Sequence, residues 1–102
     1  MAHPRINMFQ GQTIEIITLE LSVEDGEASI SIEFNDGYSN QCVIFYNISN
    51  FVVKDYSVPF LMTDLKIIEN EDEKLSDKTL KFLVHDEKED KLKFNCEAFL
   101  LF

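Results

Sequence analysis

Ile17-Thr18-Leu19-Glu20-Leu21-Ser22-Val23-Glu24-Asp25-Gly26-Glu27-Ala28-Ser29-Ile30-Ser31-Ile32-Glu33-Phe34 is the stretch that decides the fold. Apolar and polar residues alternate on both sides of Asp25-Gly26, the period of a half-buried strand. Asp-Gly suits both central positions of a type I′ turn, which need positive φ. Folding there sets Val23 against Ala28, Leu21 against Ile30, Leu19 against Ile32 and Ile17 against Phe34. Each pair is apolar, so turn and pattern agree on one register. Ile14 and Ile16 fall in the other phase, and a β-bulge or strand bend is expected at Ile16-Ile17.

Further along, Asn35-Asp36-Gly37 marks a second turn. Cys42 to Tyr46 is apolar on both faces and reads as a central, buried strand. Phe51 to Val53 reads as a short strand, and Pro59 bars a central strand position. Phe60 to Glu69 is ambiguous between strand and a turn of helix at its start. Residues 69–78 form the most polar segment and are expected to be a mobile loop. Leu80, Phe82 and Val84 then face Leu92, Phe94 and Cys96. Pairing Phe82 with Phe94 puts Glu87-Lys88-Glu89 at the tip. The apolar C-terminus, Ala98 to Phe102, is expected to dock on the body or a partner. The expected architecture is all-β: a single antiparallel meander of about seven strands, closed as a small barrel or folded as a sandwich. The 102 residues make one acidic domain, with residues 1–10 as a flexible tail.

A hydrophobic fraction of 45% is too high for a disordered chain. No run of apolar residues is long enough for a membrane-spanning helix. The N-terminal stretch lacks the apolar region of a signal peptide, so a cytoplasmic protein is expected. There Cys42 and Cys96 should be buried and reduced.

Charge is the strongest compositional signal, with 19 acidic and 9 basic residues and a net charge of −10. Residues 1–50 hold seven of the acids and one base, Arg5, and the first lysine is Lys54. Such a field repels nucleic acid and anionic membranes and favours a basic protein partner. The candidate partner-binding residues are Glu24, Asp25 and Glu27 at the hairpin tip, Glu33 on its outward face, and Asp36 at the next turn.

No constellation for catalysis, cofactor or metal stands out. His85 has acidic neighbours but no evident nucleophile. The acid runs Glu69 to Glu73 and Asp86 to Asp90 lack the spacing that wraps a cation and are interrupted or followed by lysine. Gly11, Gly26 and Gly37 are isolated, so no phosphate-binding loop exists. A non-enzymatic binding role is expected. The alternative is a carrier holding a small apolar ligand inside a barrel.

Residues 45–97 carry a resemblance. Phe45-Tyr46-Asn47-Ile48-Ser49-Asn50-Phe51, Leu65-Lys66-Ile67-Ile68-Glu69-Asn70, Val84-His85-Asp86-Glu87 and Leu92-Lys93-Phe94-Asn95-Cys96-Glu97 follow in an order similar to small acidic uncharacterised proteins of Bacillus and its relatives. Some of those are encoded among toxin and immunity genes. The chain departs from that pattern after Asn70, where Lys74-Leu75 replaces an expected Gly-Trp pair. The resemblance implies a bacterial protein whose concrete role is an immunity- or antitoxin-like inhibitor of a basic partner. It transfers no site residues.

Overall fold

The alternation around Asp25-Gly26 folds as an antiparallel hairpin whose central residues both take positive φ, 53° and 77°. It belongs to a computed structural model that describes residues 13–54, 59–70 and 78–101. The strands are β1 Ile14–Glu24, β2 Glu27–Asn35, β3 Asn40–Tyr46, β4 Ser49–Val53, β5 Phe60–Met62, β6 Leu65–Glu69, β7 Phe82–Asp86, β8 Leu92–Cys96 and β9 Ala98–Leu101. One turn of 3-10 helix, Lys78–Leu80, precedes β7. The expected N-terminal tail and most of the polar loop, residues 71–77, lie outside the described residues.

All pairings are antiparallel, in two open sheets ordered β5-β1-β2-β3-β9 and β4-β8-β7-β6. Three expectations need correction. There are nine strands among the described residues rather than about seven, because the stretch 60–69 splits in two and the C-terminus adds β9. The sheets do not close into a barrel. Nor is the chain a simple meander: β5 returns to pair with β1, and β9 crosses back to β3. The C-terminus does dock on the body. Phe99 packs 5.3 Å from Phe82 and 6.0 Å from Phe45, centroid to centroid.

The core lies between the sheets. Ile14, Ile30, Ile32, Val43, Phe45 and Met62 of one sheet and Val84, Leu92, Phe94 and Cys96 of the other are at most 1% exposed. Phe45 meets Phe94 edge-to-face at 4.9 Å, spanning the gap between sheets. Such a pair contributes ~0.5–1.5 kcal/mol beyond its buried area. The barrel interior on which the carrier alternative depended is not formed.

Two registers differ from expectation. Val23, Leu21 and Leu19 oppose Ala28, Ile30 and Ile32, but Phe34 is met by Ile16 rather than Ile17. Ile17 is the extra residue of a bulge, as its position at the phase break required, and lies 48% exposed. In the last hairpin Phe82 opposes Cys96 and Val84 opposes Phe94, two residues from the expected pairing. The tip explains the slip. Asp90 adopts φ 57° and its N–H donates to the Asp86 carbonyl, while the Lys91 N–H donates to Asp86 Oδ2 at 3.3 Å. These bonds close a longer loop. A slip of two leaves every side chain on its expected face.

Both cysteines are free, but only Cys96 is buried. Cys42 is half-buried, because Val43 and Phe45 take the core side of β3 and leave Cys42 and Ile44 on the outer side. Burial pushes the Cys96 thiol up to about 12.

Candidate protein-binding face

The strand period that sends Ile30 and Ile32 inward sends their neighbours outward. On the outer face of the five-stranded sheet, Glu24 opposes Glu27, Ser22 opposes Ser29, Glu20 opposes Ser31 and Thr18 opposes Glu33. This polar ladder holds four carboxylates and no basic side chain. Thr18 Oγ1 donates to Glu33 Oε1 at 3.4 Å, which fixes Glu33 on that face. Glu24, Asp25 and Glu27 are exposed and, with Tyr46 and Asn47, line a shallow depression at the tip.

The next strands continue the face with apolar residues. Ser29 is paired to Tyr46 and Ser31 to Ile44, and these in turn to Ala98 and Leu100 of β9. Tyr46 is 41% and Leu100 45% exposed. The face therefore runs from an acidic margin on β1 and β2 to an apolar strip on β3 and β9. An apolar centre beside a charged rim is the usual anatomy of a protein interface. Sequence reasoning missed Glu20, Tyr46 and Leu100. The signal was there in β3, which is apolar on both faces: its outer residues make a surface strip.

Asp36 stands apart from the tip. The nine residues of β2 separate them by about 27 Å along the strand. Its carboxylate is also engaged locally. Oδ1 accepts the N–H groups of Tyr38 at 2.9 Å and Ser39 at 3.0 Å, and Oδ2 accepts the Gln41 amide. The Ser39 and Tyr38 N–H groups hold its carboxyl below the usual range. Asp36 therefore shapes the β2–β3 turn, which presents Tyr38 almost fully to solvent, 96% exposed. The structure thus gathers Glu24, Asp25 and Glu27, sets Glu33 along the same face, and leaves Asp36 at the far end.

The distribution of ion pairs separates the two halves of the chain. Lys54 pairs with Asp90 at 2.9 Å, Lys66 with Glu87 at 3.0 Å and with Asp64 at 3.8 Å, and Lys91 with Glu89 at 3.1 Å. His85 Nε2 lies 2.7 Å from Asp90 Oδ1. The Lys54 ammonium, then His85, holds the Asp90 carboxyl below its ordinary value. Among the described residues, no carboxylate of residues 13–50 has a cation partner.

Asp86 is a further residue that sequence reasoning passed over as part of an exposed acid run. It is 1% exposed, with Oδ1 lacking a partner among the described residues. The alternation Phe82, Val84, Asp86 itself places it on the inner face. No group of three or more His, Cys, Asp or Glu among the described residues is arranged to hold a metal. No helix among them is long and apolar enough to cross a membrane.

Comparison with protein-family models, curated proteins and solved structures finds no match to this chain. The functional reading rests on the face itself.

Proposed function

We propose that this domain is a non-catalytic protein-binding module that engages a basic partner through the outer face of its five-stranded sheet. Its concrete form is an immunity- or antitoxin-like inhibitor acting in the cytoplasm. The observation that carries this reading is the unneutralised acidic ladder beside the apolar Tyr46–Leu100 strip. In the β7–β8 turn, by contrast, Asp90, Glu87 and Glu89 have lysine partners. The carboxylates of the ladder face solvent with none among the described residues, and so remain available to a cationic surface. Such a field steers encounter and raises the association rate more than it adds final affinity.

The test uses the full chain as bait in a native lysate at low and at high salt, followed by association kinetics with the captured protein. The field is screened over about 8 Å at physiological ionic strength, so association should slow as salt rises. Joint substitution of Glu24→Lys, Asp25→Asn and Glu27→Lys should slow it at low salt and leave the thermal transition in place, because Asn accepts the positive φ of residue 25. A partner whose association rate ignores both salt and these substitutions sinks the proposal. The inhibitor form further requires the domain to suppress that partner's activity.

A further inference from the structure

The margin of the five-stranded sheet next to the acidic ladder is unfinished. β5 covers only Ile14, Ile16 and the residue between them on the outer edge of β1. The bulge at Ile17 ends that pairing, and the remaining eight residues, Ile17–Glu24, have no neighbouring strand on that side among the described residues. An edge strand leaves alternate N–H and C=O groups pointing outward with nothing to bond. The other outer strands are shorter, at five residues for β4 and β6 and four for β9.

The core-side face of this open stretch is also incomplete. Leu19, Leu21 and Val23 stand in phase with the buried Ile30 and Ile32, yet Leu21 is 54% and Val23 69% exposed. Leu19 still packs against the core, whereas Leu21 and Val23 lie beyond its cover. A strand laid beside β1 would continue the line of β5, bond the open backbone edge, and cover Leu21 and Val23 with its own inward side chains. Its outward side chains would meet Glu20 and Glu24.

We infer that Ile17–Glu24 is a docking edge at which a basic extended segment of the partner adds as a sixth strand. This rests on the proposal that the partner is basic. Charge selects the occupant. A second copy would bring another net −10 to an edge already carrying Glu20 and Glu24, so edge-to-edge self-pairing is opposed. The same carboxylates attract a strand whose outward positions are Lys or Arg. Recognition would combine main-chain bonds with alternate side-chain contacts, as in other strand-addition complexes.

The test titrates the full chain with a capped peptide alternating Val and Lys, as long as Ile17–Glu24. A control peptide of the same sequence carries N-methyl groups on alternate residues, which removes the donors along one edge and keeps charge and apolar content. We expect the unmethylated peptide to slow hydrogen exchange of β1 amides between Ile17 and Glu24 and to bind at least about tenfold tighter than the control. Leu21→Lys or Val23→Lys should weaken it by a similar factor, the loss expected for one uncovered apolar side chain. Equal binding of the two peptides overturns strand addition and leaves the acidic-face proposal standing. Binding by neither also overturns strand addition, while the lysate experiment still judges the acidic face. Two further results overturn it by naming another occupant. One is a dimer whose β1 edge amides are protected. The other is nuclear Overhauser contacts between residues 1–12 and that edge in the free chain.

Discussion

The two hairpins β1–β2 and β7–β8 are built by the same rule and finished differently. Both alternate apolar and polar residues, and both close on a turn that uses positive φ. In β7–β8 the apolar face is covered: Phe82, Val84, Leu92, Phe94 and Cys96 are at most 5% exposed. Three carboxylates of its turn, Asp90, Glu87 and Glu89, are matched by Lys54, Lys66 and Lys91. In the outer half of β1–β2 the apolar face stays open at Leu21 and Val23, and the carboxylates stay without cations among the described residues. The β7–β8 hairpin has its apolar face covered along its whole length, whereas the outer half of β1–β2 leaves both its face and its edge available. Stability should therefore be concentrated in the first kind of residue and be indifferent to the second.

The largest effect is expected at Phe94, which is fully buried and meets Phe45 edge-to-face. Phe94→Ala should cost about 3–5 kcal/mol, read as a lower denaturation midpoint. Val23→Ala removes a smaller apolar group from an open site and should change stability by less than about 0.5 kcal/mol. Similar losses at both positions would erase the contrast between the hairpins.

Gly26 tests the turn. Its φ of 77° is one that side chains rarely adopt, while an added Cβ would meet no atom within 4 Å. Gly26→Ala should therefore cost about 1–2 kcal/mol through backbone strain alone. A neutral result would mean that the tip is not held in this conformation.

The cysteines sharpen the comparison by chemistry. Cys42 is half-buried and Cys96 fully buried, so a small thiol reagent should label Cys42 first and Cys96 only on opening. The folded Cys96 thiol is raised to about 12, above the ordinary thiol value of about 8.5. As pH rises past that ordinary value the unfolded chain ionises while the folded chain does not. Stability should then fall between the two values, and Cys96→Ala should flatten that fall. A slope unchanged by the substitution would assign it to another group.

On the acid side the matched hairpin should respond through Asp90. Lys54 and His85 lower its carboxyl in the folded protein. Its contribution is present above the unfolded value of about 3.9 and is lost as pH falls through the lower folded value. Asp90→Asn should make the acid limb of a stability–pH curve shallower. An unchanged limb would show that the surface pairs carry nothing measurable, as exposed pairs often do.

Alternation and turn chemistry are local properties, and much of the fold is legible in the sequence through them. The Asp25-Gly26 turn, three of its four pairs, the bulge at Ile17 and the in–out sense of β7 and β8 all follow from them. What they do not convey is non-local. Nothing in Phe60-Leu61-Met62 announces that it pairs with Ile14 and Ile16, and nothing in Phe99 announces its contact with Phe82. The candidate face is legible in the same proportion. Glu24, Asp25 and Glu27 follow from the turn, while the apolar strip beside them needs β9 to be placed on β3. That Asp36 is engaged in its own turn is not legible, because a turn-forming carboxylate and a free one look alike in sequence.

The smallest expected effect is the most pointed. Glu24 and Glu27 oppose each other directly across the turn, both exposed. Like charges so placed destabilise a hairpin, whereas opposite charges support it by ~0.2–1 kcal/mol. Glu24→Lys turns the first arrangement into the second, so it should raise the denaturation midpoint slightly. The same substitution removes a carboxylate from the proposed interface and puts a cation there, so association with a basic partner should slow. Stability and binding are expected to move in opposite directions from one side chain. That divergence is what a residue kept for recognition would produce. A charge present only for solubility would leave association untouched, and one needed by the fold would lower the midpoint.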